Sequence, residues 1–373
     1  MSSEKDIKPG DESRKRDVPE RHASIRDVAR AAGVSPGTVS KVLNDMPGIA
    51  APTRARVTLA AKKLDYRPNE LVRGIFARRS FTVGLITSDS FGRFSGPIMA
   101  GVEDALGRGQ LSVIMCDSRG DVSREAEHLE VLMGRRIDGL IVTGRCSNPR
   151  PPVAESLPFP VVYAHTPSTN PDDLSIMVDD EGAGRLAAEH LARLGRRRIA
   201  QVTGPWDFDA VRKRAAGFAE GLREHGLERA GQIQARFWCE SWGREATQEL
   251  LRGTPDVDAI YCGSDLLARG VADALREVGR KVPDDIAIVG TDNWELIAES
   301  MRPPLTTVDL SLARVGQRSA QALVAAIDGE RRSGQEVVPA NLVVRASSGM
   351  PFEASDVAHA GIYHDSCIHP VNG

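Results

Sequence analysis

From Phe81 onward, short apolar, β-rich runs alternate with helical stretches, and the alternation occurs twice. FTVGLIT (81–87), LSVIMCD (111–117), IDGLIVTG (137–144) and FPVVYAH (159–165) make the first set, with helical stretches such as PIMAGVEDALGRG (97–109) and REAEHLEVLMGRR (124–136) between them. RRIAQVTG (197–204), QIQARFW (232–238), DAIYCG (258–263) and DIAIVGTD (285–292) make the second. Strands that alternate with helices need crossover connections, which implies parallel sheets. Two sets predict two doubly wound lobes, with a ligand site at the carboxyl ends of the strands between them. Polar residues at such ends are Arg214 just inside the helix after one strand, Ser264 and Asp265 after another, and Asp292 after a third. Each of these also serves as an ordinary helix cap or surface ion pair elsewhere in proteins.

The front of the chain has a different period. In SIRDVARAAGVSPGTVSKVLN (24–44), Ser24 caps a helix with Asp27 three residues on, and Ile25, Val28 and Ala29 recur at helical spacing. Gly33 suits the turn that follows, Ser35 caps a second helix, and Pro36 at its first position gives up no needed N–H. Val39, Val42 and Leu43 form the inward face, leaving Gly37, Thr38, Ser40 and Lys41 outward, as a helix entering a major groove by its N-terminus requires. A third helix is predicted from Pro52 to Tyr66, closed by Pro68.

Charge separates these regions. The whole chain of 373 residues carries only -3, but residues 21–80 carry +8, residues 1–20 carry -1, and the remainder about -10. A basic head on an acidic body points to phosphate binding at one end only. Cys116, Cys146, Cys239, Cys262 and Cys367 are scattered and form no CxxC pair, which argues against a disulfide framework or zinc knuckle and for a reducing compartment. The first twenty residues are polar, and no stretch has the ~18 apolar residues of a membrane span, so a cytoplasmic location is expected. No GxGxxG follows a strand, and GxxxxGK[ST], GxSxG and HExxH are absent, which argues against an enzyme and against a nucleotide or metal cofactor.

The run 24–44, followed by TRARVTLAAKKLDYRPNELVRG (53–74), resembles the DNA-binding headpiece of the lactose and galactose repressor family over some fifty residues. The resemblance implies a helix-turn-helix headpiece at 23–68 and a hinge at 69–80. It implies DNA contacts from Ser24, Ser35, Pro36, Gly37, Thr38, Ser40, Lys41, Asn44, Thr53, Tyr66, Asn69 and Ile75. Lys41 replaces the family's usual arginine, keeping the charge without the bidentate fork. Pro36 and Gly37 fall at positions that often carry specificity and offer no side-chain donor, and Ala50 stands where a serine often touches phosphate. The hinge folds on the operator in the family, two copies entering the minor groove, with Ile75 or its neighbour Phe76 as the wedge between base pairs.

The same resemblance implies a core at 81–349 like a periplasmic sugar-binding protein, the first lobe at about 81–178 and 309–335 and the second at about 179–308 and 336–349. In it Arg214, Asp292 and Ser264 take effector-binding positions, and Ser88, Asp89 and Phe94 line the same cleft. His165 is a further candidate, and Trp238 either stacks on the effector or packs in the core. Leu310 and Leu312 replace more polar or aromatic family residues. Tails at 1–22 and 350–373 are polar, the second carrying His359, His364, Cys367 and His369. No leucine heptad ends the chain, so a dimer is expected. The reading is a transcription regulator of the repressor kind, binding a pseudo-palindromic operator as a homodimer and switched by a sugar-like effector.

Overall fold

A computed structural model describes residues 23–43, 46–66, 79–107 and 111–349. The chain divides into two compact units at Ser80 and Phe81. Asn44, Asn69, Ile75 and most of the expected hinge lie outside the described residues.

The first unit holds three helices: α1 (Ile25–Ala32), α2 (Pro36–Leu43) and α3 (Ala51–Lys63). Ser24 and Asp27 form a reciprocal capping box, and Gly33 ends α1 in the left-handed region at φ 64°. The Thr38 N–H donates to Ser35 Oγ at 3.1 Å, which starts α2. Val28, Val39 and Val57, one from each helix, are fully buried. Arg54 on α3 donates to the carbonyls of Val42 (3.2 Å) and Met46 (2.9 Å), bracing the end of α2. α3 stops three residues short of Tyr66 because Asp65 turns into the left-handed region at φ 43°.

The second unit runs β1 (Thr82–Thr87), α4 (Ser95–Leu106), β2 (Ser112–Asp117), α5 (Val122–Gly134), β3 (Gly139–Thr143), β4 (Val161–Ala164), β5 (Leu174–Val178) and α6 (Asp180–Arg193). It continues through β6 (Ile199–Thr203), α7 (Asp209–Glu224), β7 (Gln234–Ala235), α8 (Glu240–Gly253), β8 (Ala259–Cys262), α9 (Asp265–Glu277), β9 (Ala287–Thr291) and α10 (Glu295–Ala298). β10 (Thr306–Asp309), α11 (Leu312–Ile327), β11 (Gly334–Val338) and β12 (Asn341–Val343) complete it. One sheet has the order β11-β5-β4-β3-β1-β2 and is parallel throughout. The other has the order β12-β10-β9-β8-β6-β7, parallel except where β12 runs against β10. The strands of 159–165 and 285–292 form near their expected places, whereas QIQARFW yields only the two-residue β7.

The chain passes between lobes after β5, between β10 and α11, and between β11 and β12. The third passage falls after Val338, slightly beyond 335, because β11 stays in register with β5 as far as Val338 opposite Val178. Helix pairs close on glycine. A Cβ on Gly101 would lie 1.9 Å from the Ala313 carbonyl oxygen where α4 meets α11, and one on Gly217 1.8 Å from that of Glu181 where α7 meets α6. A continuous apolar core, including Leu85, Ile141, Ile176, Ile199 and Val308, joins both sheets.

Candidate functional site

Both sheets end, at their strand carboxyl termini, on loops rich in polar residues. After β1, the Asp89 N–H donates to Thr87 Oγ1 (3.0 Å), and Asp89 Oδ2 accepts the N–H groups of Phe94 (2.7 Å) and Ser95 (2.9 Å). The buried Asp89 carboxylate thereby shapes the loop at the start of α4, and the loop presents Arg93 and Phe94. Phe94 stacks on His165, ring centroids 5.0 Å apart. Ser88 is half-buried, its hydroxyl close to Gly144.

After β9 in the second lobe, Asp292 (φ 112°) and Asn293 (φ 49°) occupy backbone conformations uncommon for side-chain-bearing residues. Three hydrogen bonds hold them there. The Asp292 N–H donates to the Val308 carbonyl (2.8 Å), that of Asn293 to Thr307 Oγ1 (3.3 Å) and that of Trp294 to Asp265 Oδ2 (2.7 Å). Thr307 Oγ1 also donates to Asp265 Oδ1 at 2.5 Å. Burial pushes the Asp265 carboxyl up to about 7, although these hydrogen bonds and the Arg93 charge pull it down.

Polar side chains join the lobes at several points. Arg93 Nη2 pairs with Asp292 Oδ2, and the guanidinium lies 5.1 Å from the Phe94 ring and 5.3 Å from the Trp294 ring, a cation between two aromatic faces. Deeper, Arg214 donates to Asp180 Oδ1 from Nε (2.8 Å), lies 2.7 Å from it at Nη2, and gives Nη1 to the Gly263 carbonyl (2.8 Å). Ser147 of the first lobe donates to the other Asp180 oxygen at 3.0 Å. Asn148 adds a third tie, accepting the Asp209 N–H at 2.9 Å. Burial lowers His165 to about 4, and the charges of Arg214 and Arg93 act in the same direction.

The sequence-expected residues fall on this arrangement unevenly. His165, Phe94, Asp292 and Asp265 are linked through Arg93 and Trp294, whereas Arg214 is tied to Asp180 and the Gly263 carbonyl. Ser264 spends its hydroxyl on the Leu267 N–H (3.3 Å) as the cap of α9. Trp238 lies over Gly204, edge-on to Phe208 at 5.9 Å, and packs against the second-lobe core while half-exposed. Arg93, Ser147, Asp180 and Trp294 were not singled out from sequence. An open groove of about 630 Å³ lies elsewhere, lined by Arg314, Arg318, Glu336 and Asn341. Two of its charged side chains, Arg318 and Glu336, pair with each other at 2.5 Å, Arg314 donates to Gln317 at 3.2 Å, and its lining residues include no aromatic ring, so the interlobe contacts mark the better candidate.

In the first unit, Ser35, Pro36, Gly37 and Lys41 are exposed on α2, and Thr38 and Ser40 are half-buried. Thr53, near the start of α3, and Tyr66 are half-buried, as is Ser24 at its cap. Ala50 provides no side-chain cap to α3.

A basic helix-turn-helix unit followed by a two-lobed ligand-binding core defines a class of ligand-responsive DNA-binding regulators. The chain belongs to the lacI family of bacterial regulatory proteins, whose model matches residues 24–69, and residues 188–348 match a periplasmic binding protein-like domain. It is 34% identical over 339 residues to the HTH-type transcriptional regulator CelR of Thermobifida fusca, which covers 88% of this chain and 98% of that protein. A solved CelR–cellobiose complex is 31% identical with a TM-score of 0.60, covering 87% of this chain and 99% of that one. A lac repressor dimer bound to operator and the anti-inducer ONPF is 27% identical with a TM-score of 0.68, covering 88% and 99%. These relatives are transcriptional regulators and not enzymes. The chain is a DNA-binding transcription regulator of this family with an effector-binding core. Among the described residues no helix is long and apolar enough to cross a membrane.

Proposed function

We propose that the protein is a cytoplasmic repressor that binds a pseudo-palindromic operator as a homodimer and releases or grips it when a sugar or sugar derivative enters the interlobe cleft. The observation that carries this reading is the pair of side-chain bridges, Arg93 to Asp292 and Ser147 to Asp180, which makes the polar groups of both lobes meet in one place. A ligand that inserts there changes the lobe spacing, and through it the spacing of two headpieces. α2 enters the major groove with Lys41, Ser40, Thr38, Gly37, Pro36 and Asn44 toward the bases, while Ser24, Ser35, Thr53, Tyr66 and Asn69 address phosphates. Ile75 wedges the minor groove. Ser88, Asp89, Phe94, His165, Arg214, Trp238, Ser264, Asp265 and Asp292 form the effector site, with Asp89 and Ser264 acting through the backbone they hold. The boundaries 23–68, 69–80 and 81–349 follow the same division.

The CelR complex with cellobiose and the operator-bound lac repressor dimer support the ligand class and the dimer. The edge strand β2, with exposed Met115, offers a surface for a second copy. Selection from random-sequence duplexes tests the DNA side: enrichment of a two-fold symmetric site is expected, and recovery of no sequence preference would remove the proposal.

A further inference from the structure

The two arginines at the interlobe bridges are already committed. Arg93 is paired with Asp292, and Arg214 with Asp180 and the Gly263 carbonyl. His165 is buried and held neutral by that burial. A phosphate or carboxylate arriving beside Arg93 or Arg214 meets a guanidinium already matched by a carboxylate.

The Arg93–Asp292 pair makes the consequence specific. An anionic group inserted between them would satisfy the guanidinium and face the carboxylate, and a cationic group would do the reverse; either leaves a partly buried charge against its like, which is costly. Two adjacent hydroxyls behave differently, since one accepts from the guanidinium while the other donates to the carboxylate and neither charge is left alone. Two further atoms point the same way. Arg93 Nε and His165 Nδ1 are both buried without a hydrogen-bond partner, beside the Phe94 ring that touches both residues. Buried polar atoms in that condition call for a partner that the protein does not supply. Phe94 and Trp294 cover the faces of the guanidinium, so its edge is the part left for an oxygen.

We propose that Arg93 is a specificity-determining residue of the cleft and that, with Asp292, it acts as a charge filter admitting an uncharged ligand that presents a donor and an acceptor side by side, as vicinal hydroxyls do. The inference rests on the cleft being the effector site and narrows its ligand class.

Calorimetric titration of the full chain with matched compounds tests it. Cellobiose, glucose and ribose are set against cellobionate, glucose 6-phosphate, glucosamine and ribose 5-phosphate, with hypoxanthine against inosine monophosphate. The uncharged member that binds is expected to do so roughly tenfold or more tightly than its charged counterparts. Asp292→Asn, which releases Arg93, is expected to shift preference toward the acid or phosphate, and Arg93→Gln toward glucosamine. A charged sugar that binds the unaltered protein as tightly as its parent overturns the filter and leaves the sugar reading standing. Hypoxanthine binding with no sugar binding leaves the filter and removes the sugar reading, and silence across the panel removes both. The wild-type comparison decides the matter even if either variant fails to fold.

Discussion

Arg214 illustrates how a residue read from sequence changes meaning once its neighbours are known. Its place after a strand suggested a ligand contact, but its guanidinium also neutralises the buried Asp180 and ties the α6–α7 pair to the Gly263 carbonyl. Arg214→Ala should therefore cost about 3 to 5 kcal/mol of stability as well as altering ligand binding, because it strands a buried carboxylate. Urea unfolding of the variant against wild type measures this, and an unchanged midpoint would show that Asp180 does not need the pair. His165 offers a test by pH. Its folded value of about 4 lies below the ordinary 6.5, so the unfolded chain takes up the proton first. The stability held by the neutral ring is complete above pH ~6.5 and is lost as the pH falls toward 4, with a loss of about 2 kcal/mol by pH 5. In His165→Asn, chosen because asparagine tolerates the φ of 65° at this position, the drop in unfolding free energy between pH 7 and pH 5 should shrink by that amount. An unchanged drop would mean that the ring is solvated. Arg93 and Asp180 were illegible in the sequence for physical reasons. Asp180 in a first helical turn reads as a cap, and the partner of Arg93 is 199 residues away.

At the scale of elements, what was legible is what local chemistry decides. The capping box at Ser24 and Asp27, the turn at Gly33 and the start of α2 at Ser35 each depend on neighbours within four residues, and each forms in the place expected. The long apolar strands were legible too. Length does not separate β5, β10 and β11 from the strands that the sequence marks, but β12 has only three residues, and β11 takes its place by pairing with β5, far back in the chain. Trp238 illustrates the same limit, since its segment contributes two strand residues to the sheet edge and the ring is placed by Gly204 and Phe208. The helix crossings were equally hidden, because a glycine in a helix carries no sign of the backbone pressed against it. Gly217→Ala should destabilise by about 3 kcal/mol, since its Cβ would meet the Glu181 carbonyl with no flexible side chain to give way. Thermal unfolding of the variant checks this, and a shift below about 1 °C would contradict the packing. On α2, Lys41→Ala should lose about 1 to 3 kcal/mol of preference for operator over random DNA. Equal losses on both DNAs, measured by anisotropy titration, would make Lys41 a phosphate contact alone.

The whole molecule separates its tasks by charge, with +8 in residues 21–80 and about -10 after residue 80. DNA affinity should accordingly fall by about a decade or more between 50 and 200 mM salt, as phosphate neutralisation releases counterions. We propose that the cleft and the DNA-binding end are coupled, so that the lobe contacts made by Arg93 and Asp292 bias operator binding. Linkage makes that claim measurable in both directions, since a ligand that alters operator affinity must have its own affinity altered by the operator by the same factor. The decisive measurement is the operator dissociation constant of the full chain, with and without a saturating concentration of the uncharged compound that binds the cleft. A change of about fivefold or more is expected, with the same factor recovered when the compound is titrated into the protein–operator complex. An operator affinity that stays the same at saturation would show that the cleft and the headpiece are uncoupled.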